Sequence, residues 1–405
     1  MSKNANHAIV FGAAGLLGWS VLNQLTSNYP ESGTFSRVTA VVNRPISEPD
    51  LNLSSKGTQD SAKPKLQIVS GIDLRDGTGE ALAHQLQTNV ADAETITHVF
   101  YFGTLSPWLS DAVEECKINC DMMRRVVAAV NIISPALKAF IYPGGTRRLK
   151  GYGIYIPGGT FQAPLDEAMA DQLPDDYAKT VAYPWFRKIL TEASNGRGWS
   201  WTEVCPDAVI GFSPNGSGWS LALHWAQYLS LYSHNKGAGV ATEGSKTPVP
   251  FPGCEEALDS KFTPVSSKIL GRIAIFAALN PDVCGGKVIN MADGAHPTTF
   301  RQLWPMIAAW FGLAGVGPSA ETDAPKPGEY VKKHETIFSE KNRAKALSGG
   351  VGAGSKQLDS VGFCLTFDRQ LSLERLRACG FHERRDPIEG WIEAFEQFRE
   401  AGLIL

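Results

Sequence analysis

Short apolar stretches alternate with longer segments of helical spacing along the first half of the chain. A β-branched and aromatic stretch bounded by turn residues predicts a buried strand, and apolar residues recurring every three or four positions predict a helix. These patterns predict strands over residues 8–11, 37–43, 66–69, 97–101, 137–142 and 201–205, and helices over residues 16–25, 79–87 and 112–133. Strands alternating with helices indicate an α/β fold with a doubly wound parallel sheet, whose ligands bind at the carboxyl ends of the strands.

The pattern changes after Gly211, where aromatic residues become frequent and strand signals become rare. This half predicts helices over residues 219–232, 300–311 and 386–401, a strand over residues 287–290, and irregular chain over residues 251–264. Residues 318–330, rich in Pro and acidic groups, and the Gly-rich residues 349–355 are predicted to be exposed connections. We therefore expect a sheet domain over residues 1–212 and a smaller, discontinuous lobe over residues 213–405 that shares some elements of the sheet.

Composition narrows the class of protein. The 405 residues are 43% hydrophobic and 20% charged, and the formal net charge of −3 suits neither nucleic acid nor an anionic membrane surface. The N-terminus is polar, and no apolar run approaches the roughly 18 residues that a membrane span needs. The seven cysteines are scattered without a Cys-x-x-Cys pair, so neither a disulfide framework nor a metal site is indicated. We expect a cytoplasmic protein that binds neither nucleic acid nor membranes.

The strongest chemical signal is the turn between the first predicted strand and the first predicted helix. Three glycines follow that strand in the spacing Gly-x-x-Gly-x-x-Gly. In this context the first glycine permits a tight turn, the second admits a pyrophosphate and the third lets the helix pack on the sheet, while the helix N-terminus attracts the phosphates. The turn therefore predicts a Rossmann-like dinucleotide site formed by Gly12, Ala14, Gly15, Leu16, Leu17 and Gly18. Its spacing resembles that of the extended or atypical short-chain dehydrogenases.

The ends of the following strands predict which dinucleotide is bound. The second strand ends at Asn43 and Arg44, with no acidic residue there to accept a hydrogen bond from an adenosine 2′-hydroxyl. A guanidinium suits a 2′-phosphate instead, so the sequence favours NADP(H) over NAD(H). By analogy with short-chain dehydrogenases, further cofactor contacts are predicted at Asp73 and Leu74 near the adenine, Thr104 near the nicotinamide ribose, and Pro206 at the nicotinamide edge. For Asp73 a plain turn aspartate stays an alternative.

The usual catalytic pair of short-chain dehydrogenases, Tyr-x-x-x-Lys on one helical face, is not found where the fold requires it. Tyr232 and Lys236 have this spacing, but they follow the sixth strand, whereas the pair should precede it. No lysine stands four residues after any tyrosine between the fifth and sixth strands; these tyrosines are Tyr152, Tyr155, Tyr177 and Tyr183. Tyr183 is followed at that distance by Arg187.

Several blocks resemble the progesterone 5β-reductase and iridoid synthase-like enzymes, called the PRISE family, and their fungal relatives. Residues 97–101, Thr-His-Val-Phe-Tyr, are similar to the fourth strand of that family. Residues 199–214, WSWTEVCPDAVIGFSP, are similar to its Trp-Ser-Val-x-Arg-Pro…Gly-Phe-Ser-Pro block, and residues 288–312 to its Asn…Asp-Gly…Leu-Trp…Phe-Gly segment. The resemblance covers most of residues 7–312 and is weaker beyond.

The resemblance implies a reductase in which hydride from NADPH adds to the β-carbon of an enone or enal, while a tyrosine and a lysine stabilise the enolate oxygen. The family's lysine follows the fifth strand; Lys150 matches it with a short insertion and Arg147 without a gap, and we favour Lys150. The family's tyrosine lies in a Phe-Tyr-Tyr segment that corresponds to residues 182–184, where one tyrosine is absent. Tyr183 is therefore the first candidate, and Tyr177 is the second.

Two other functions stay open at this point. An epimerase, dehydratase or cyclase of the same fold keeps its cofactor without net oxidation of NADPH, and a non-catalytic NADP(H) sensor binds cofactor without turnover. The aromatic residues that follow Trp219 suit a pocket for a small lipophilic substrate and, equally, a lobe core. The sequence also leaves a homodimer open.

Overall fold

The computed structural model describes residues 6–54, 63–104, 111–145, 162–171, 179–237, 246–319, 326–348 and 356–405. Its strands are β1 (Asn6–Phe11), β2 (Phe35–Val42), β3 (Lys65–Ser70), β4 (His98–Tyr101), β5 (Ala139–Pro143), β6 (Ser200–Pro206), β7 (Ala208–Ile210), β8 (Pro248–Phe251), β9 (Pro264–Ser266), β10 (Lys287–Met291) and β11 (Ala314–Pro318).

The α-helices of this part of the chain are α1 (Leu16–Thr26), α2 (Gly79–Asn89), α3 (Ala112–Ile133), α4 (Tyr183–Ser194), α5 (Leu221–Lys236), α6 (Glu255–Asp259), α7 (Ser267–Leu279), α8 (Pro281–Cys284), α9 (Phe300–Trp310), α10 (Pro327–His334), α11 (Thr336–Glu340), α12 (Lys345–Ser348), α13 (Lys356–Asp359), α14 (Val361–Cys364), α15 (Glu374–Ala378) and α16 (Pro387–Glu400). Short 3-10 helices cover Pro49–Leu51, Ala93–Thr95 and Glu167–Asp171. No helix within the described ranges is long and apolar enough to cross a bilayer.

Seven parallel strands form the central sheet in the order β3-β2-β1-β4-β5-β6-β10. The chain starts in the middle at β1, runs outward to β3, and then returns to β4 on the other side of β1. The direction of winding therefore reverses between β1 and β4, which opens a crevice at their carboxyl ends. This order confirms the predicted doubly wound parallel sheet, and it places β10, from the second half of the chain, at one edge.

Helices cover both faces of the sheet because successive side chains of each strand point to opposite faces. In β1, Ala8 and Val10 belong to the core under α1 and α7, whereas Ile9 and Phe11 belong to the core under α2, α3 and α4. The helices α1 and α7 approach closely at Gly271, where a Cβ atom would lie 2.4 Å from the carbonyl oxygen of Ser20. One face of the sheet is thus covered partly by a helix that follows residue 212.

A second core lies in the lobe and is built on tryptophans. Trp225 of α5 stacks on Trp391 with ring centroids 5.4 Å apart, and it meets Trp304 edge-on at 5.3 Å. All three side chains are buried. The aromatic residues of α5 therefore serve mainly as lobe core, although Trp219, which precedes the helix, is 41% exposed.

Two predictions for the second half were wrong in detail. Residues 251–264, expected to be irregular, contain the helix α6, and residues 318–330, expected to be an exposed connection, contain the start of α10. In α6 only Ala257 and Leu258 are buried, so a helix of this length shows no apolar period in the sequence. Pro327 begins α10 at the position where proline is tolerated in a helix, so a proline-rich segment need not be irregular.

Candidate functional site

The glycine turn after β1 is fixed by close contacts between backbone atoms. Gly12 has φ +72°, and a Cβ atom on it would lie 2.6 Å from the carbonyl oxygen of Phe102 at the end of β4. A Cβ atom on Gly18 would lie 2.2 Å from the carbonyl oxygen of Gly12. Gly15 is the N-cap of α1 and offers no capping side chain, so the free N–H groups of the first helical turn are left for a ligand.

A cleft of about 590 Å³ opens above this turn, at the crevice between β1 and β4. It brings together eight of the twelve predicted cofactor-binding residues, namely Gly12, Ala14, Gly15, Asn43, Arg44, Asp73, Leu74 and Thr104. Leu16, Leu17 and Gly18 lie in α1 and do not line the cleft; Leu16 is buried, and Leu17 packs against the core under α1. Pro206 ends β6 and lies outside this cleft.

Arg75 also lines the cleft, and the sequence interpretation missed it. Its Nε donates hydrogen bonds of 2.9 Å and 3.1 Å to the two carboxylate oxygens of Asp73. The bound guanidinium holds the pKa of Asp73 below its usual range. Asp73 therefore orients the Arg75 side chain and also lines the cleft. An arginine two residues after a strand-end aspartate was the signal that could have found this pair.

The lobe reaches the cleft through the residues that follow β7. Ser213 Oγ lies 3.1 Å from the carbonyl oxygen of Ala14 in the glycine turn and 2.9 Å from that of Gly216. Asn215, two residues on, is exposed and lines the cleft. The Gly-Phe-Ser-Pro motif thus connects the lobe to the glycine turn. This contact gives a structural reason for a motif that the sequence analysis identified only by its resemblance to the family.

The cleft fits a dinucleotide on two observations. Gly12, Ala14 and Gly15 of the glycine turn line the cleft, and the N-terminus of α1, which begins after Gly15, lies beside it. Arg44 and Arg75 line the part of the cleft that includes the ends of β2 and β3, with Asn43 and no acidic residue at the end of β2. Guanidinium groups bind phosphate oxygens in a bidentate manner.

Tyr183 lies at the carboxyl ends of β5 and β6. A Cβ atom on Gly145, just after β5, would lie 3.5 Å from the Tyr183 hydroxyl and 3.8 Å from the carbonyl oxygen of Pro206. The half-buried Tyr183 is the first residue of α4, and its ring meets Phe186 edge-on at 6.3 Å. The structure therefore brings together the candidate tyrosine and Pro206, the predicted neighbour of the nicotinamide. Lys150, Arg147 and Tyr177 lie outside the described residues.

Tyr232 and Lys236 are remote from these strand ends. They lie in the last turns of α5, where the Tyr232 hydroxyl donates to the carbonyl oxygen of Pro248 at 3.2 Å. Lys236 Nζ lies 5.8 Å from the Tyr232 ring centroid. Tyr232 also contacts Tyr330 of α10, with ring centroids 5.7 Å apart. The pair belongs to the lobe surface, in agreement with its position after the sixth predicted strand.

The fold and the sequence relatives together define an oxidoreductase of the short-chain dehydrogenase/reductase class. The profile of the PRISE-like Rossmann-fold domain matches residues 8–405, so the chain belongs to that family. It is 29% identical to the short chain dehydrogenase sirS of Leptosphaeria maculans, over 98% of this chain and 97% of that protein. It is 24% identical to the 3-oxo-Delta(4,5)-steroid 5-beta-reductase of Arabidopsis thaliana, over 78% of this chain and 79% of that protein.

Among solved structures, the fold is similar to that of MlghC, the GDP-mannoheptose C4 reductase from Campylobacter jejuni with NADP bound. The TM-score is 0.57 and the sequence identity 12%, over 98% of this chain and 100% of that chain. At this identity the likeness concerns the fold alone.

Proposed function

We propose that the protein is an NADPH-dependent reductase of a conjugated enone or enal, or a related carbonyl, in a small lipophilic molecule. The observation that carries the proposal is the Tyr183 hydroxyl, which lies beside Gly145 and the carbonyl oxygen of Pro206 at the carboxyl ends of β5 and β6. Ligands of parallel α/β sheets bind at these ends. The name of the Arabidopsis relative specifies a ketone conjugated to a C=C bond, which supports an enone as the substrate class.

The choice of NADPH rests on charge. Arg44 and Arg75 both line the cleft, and Asp73 orients the Arg75 guanidinium. We assign Arg44 to the adenosine 2′-phosphate, with Arg75 as a second guanidinium on the same side of the cofactor. NADP bound to MlghC supports this choice by analogy of fold.

NADPH, when bound, would supply a hydride to the β-carbon of the substrate, and one proton added at the α-carbon would complete the saturated product and leave NADP⁺. The role of the protein's own residues is to hold the carbonyl oxygen of the substrate. The Tyr183 hydroxyl donates a hydrogen bond to that oxygen, and the bond strengthens as the oxygen gains negative charge in the enolate. Lys150, or Arg147 in its place, is proposed as the second donor. Gly145 leaves the space in front of Tyr183 free of a side chain.

The proposal is tested by following NADPH absorbance with a panel of enones, enals and ketones, and by identifying the products. We expect turnover with at least one conjugated substrate and a saturated C–C bond in its product. A cofactor-loaded protein that oxidises no NADPH across the panel contradicts the proposal. Product formed without net NADPH oxidation points instead to an epimerase, dehydratase or cyclase.

Tyr183→Phe removes the proposed donor and keeps the ring that packs on Phe186. We expect kcat to fall by about 100-fold to 1,000-fold, as for the loss of an oxyanion donor, with NADPH affinity unchanged. Tyr232→Phe is the matched control, because it removes a tyrosine hydroxyl on the lobe surface. Equal activities of the two variants would remove Tyr183 from the mechanism.

A further inference from the structure

A carboxylate is fully buried beneath the start of α4. Glu203 of β6 stands opposite Tyr142 of β5 in the sheet register, and its side chain is 0% exposed. The Tyr142 hydroxyl donates to Glu203 Oε2 at 2.8 Å, and Cys205 Sγ donates to Oε1 at 3.3 Å. Burial, and next the negative charge of Glu203, raise the pKa of Tyr142 well above its usual value, so Tyr142 remains a donor.

Arg187 compensates the charge of this carboxylate. Its Nε lies 3.2 Å from Glu203 Oε2, and the Arg187 side chain is 15% exposed. The guanidinium also reaches the carbonyl oxygen of Ala170, at 3.4 Å, in the 3-10 helix Glu167–Asp171. One side chain therefore joins α4 to β6 and to this 3-10 helix. Breaking such a buried pair is costly because it leaves an uncompensated charge.

The Glu203–Arg187 pair lies near the N-terminus of α4, which has no capping side chain. Tyr183 is the first residue of α4, and the N-cap residue Ala182 provides no side-chain hydrogen bond to the free N–H groups. Helix starts without a capping side chain are less stable than capped ones. Arg187 lies one turn further on, so its ion pair with Glu203 of β6 fixes the end of the helix that carries Tyr183.

The same carboxylate also lies close to the backbone at Gly144, after β5. A Cβ atom on Gly144 would lie 2.2 Å from Glu203 Oε1 and 2.3 Å from Cys205 Sγ. Gly144 precedes Gly145, in front of which the Tyr183 hydroxyl lies. Glu203 therefore supports both the helix that carries the tyrosine and the chain that faces it.

We propose that the Glu203–Arg187 ion pair is a positioning device that sets the place of the Tyr183 hydroxyl. Arg187 has the spacing of the lysine in Tyr-x-x-x-Lys, but its guanidinium contacts the buried carboxylate and acts through the position of α4. The role in catalysis rests on the proposed reductase function, whereas the anchoring of α4 does not.

The test compares Glu203→Gln, Arg187→Lys and Arg187→Met in the full chain. Arg272→Gln is the control, because Arg272 of α7 forms a partly exposed ion pair with Glu383. For Glu203→Gln and Arg187→Met we expect kcat to fall by about 10-fold to 100-fold, as for a misplacement of about 1 Å, with NADPH affinity within about twofold of the wild type. Arg187→Lys keeps the charge and is expected to recover part of the rate.

Hydrogen exchange provides a readout that does not need turnover. We expect faster exchange at the first-turn amides of α4 in Glu203→Gln and Arg187→Met, and no change there in Arg272→Gln. Should Glu203→Gln fail to fold, the two Arg187 variants carry the same comparison. Folded variants with wild-type kcat and wild-type exchange at α4 overturn the proposal, and so does an equal loss of kcat and of NADPH affinity. If the wild type reduces no substrate, the exchange data still decide the anchoring.

Discussion

Arg44 and Arg75 both line the cleft, and the proposed preference for NADPH depends on these two side chains. Arg44 follows β2 directly, and Arg75 is oriented by hydrogen bonds to Asp73. NADPH carries a 2′-phosphate that can form a charge-assisted hydrogen bond with a guanidinium, and NADH does not. Removal of the guanidinium should therefore weaken the binding of NADPH more than the binding of NADH.

Arg44→Ala and Arg75→Ala should each weaken NADPH binding by about 1.5–3 kcal/mol and leave NADH binding much less changed. Titration calorimetry with both cofactors measures the difference. Arg37→Ala is the matched control, since Arg37 lies at the opposite end of β2 and pairs with Asp92. Equal losses for the two cofactors would rule out the assignment.

Asp293 gives a prediction about pH. Burial raises its pKa to about 7, although Ser266 donates to its Oδ1 from the backbone N–H at 2.8 Å and from the hydroxyl at 2.6 Å. Because the folded protein holds this proton more tightly than the unfolded chain, the group stabilises the fold at low pH. That contribution is lost as the pH rises from about 4 to about 7.

The free energy of unfolding of the wild type, relative to Asp293→Asn, should therefore decrease over this range. Denaturant unfolding at several pH values measures the difference between the two proteins. A constant or increasing difference would contradict the raised pKa of Asp293.

At the scale of elements, the segment after β7 ties the lobe to the glycine turn. Ser213 Oγ contacts the carbonyl oxygen of Ala14, and Phe212 packs edge-on against Trp19 of α1 with ring centroids 4.9 Å apart. The segment also places Asn215 in the wall of the cleft. Its geometry should therefore affect both stability and cofactor affinity.

Ser213→Ala should lower the free energy of unfolding by about 1 kcal/mol and also weaken NADPH binding. Ser233→Ala is the control, because the Ser233 hydroxyl donates to the carbonyl oxygen of Phe311 in the lobe, at 2.7 Å. We expect it to lower stability alone. If both variants leave NADPH affinity unchanged, the segment does not shape the cleft.

The elements also show which features a sequence can reveal. The strands of the sheet and the glycine turn were predictable because each is encoded by neighbouring residues with a clear period. The Glu203–Arg187 pair was not, because its members belong to β6 and α4, and only the packing of that helix against the sheet brings them together. Likewise, α6 is too short to show a period.

At the scale of the whole molecule, the second half of the chain completes the sheet. β10 forms one edge beside β6, and α7 covers a face through buried residues such as Ile269, Leu270 and Ile273. The predicted division at residue 212 therefore passes through a shared core. The lobe core around Trp225 crosses the division as well, because it includes Trp19, Ile210 and Phe212.

We expect a fragment of residues 1–212 not to fold cooperatively, because it lacks β10 and leaves the apolar face under α7 in water. Circular dichroism during heating of the fragment measures this. Addition of a fragment of residues 213–405 should restore a cooperative transition. Cooperative unfolding of residues 1–212 alone, together with NADPH binding, would show that the sheet domain is independent of the lobe.

The contact between Ser213 and Ala14 has a consequence for the order in which ligands bind. A cofactor that settles on the glycine turn biases the lobe segment joined to it, and a substrate held by the lobe biases the turn to the same extent, because coupling between two sites is reciprocal. Each ligand should therefore tighten the binding of the other by one common factor. Because this coupling is the same in both directions, it imposes no obligatory order, and random-order binding with mutual tightening is the kinetic pattern that the connection favours.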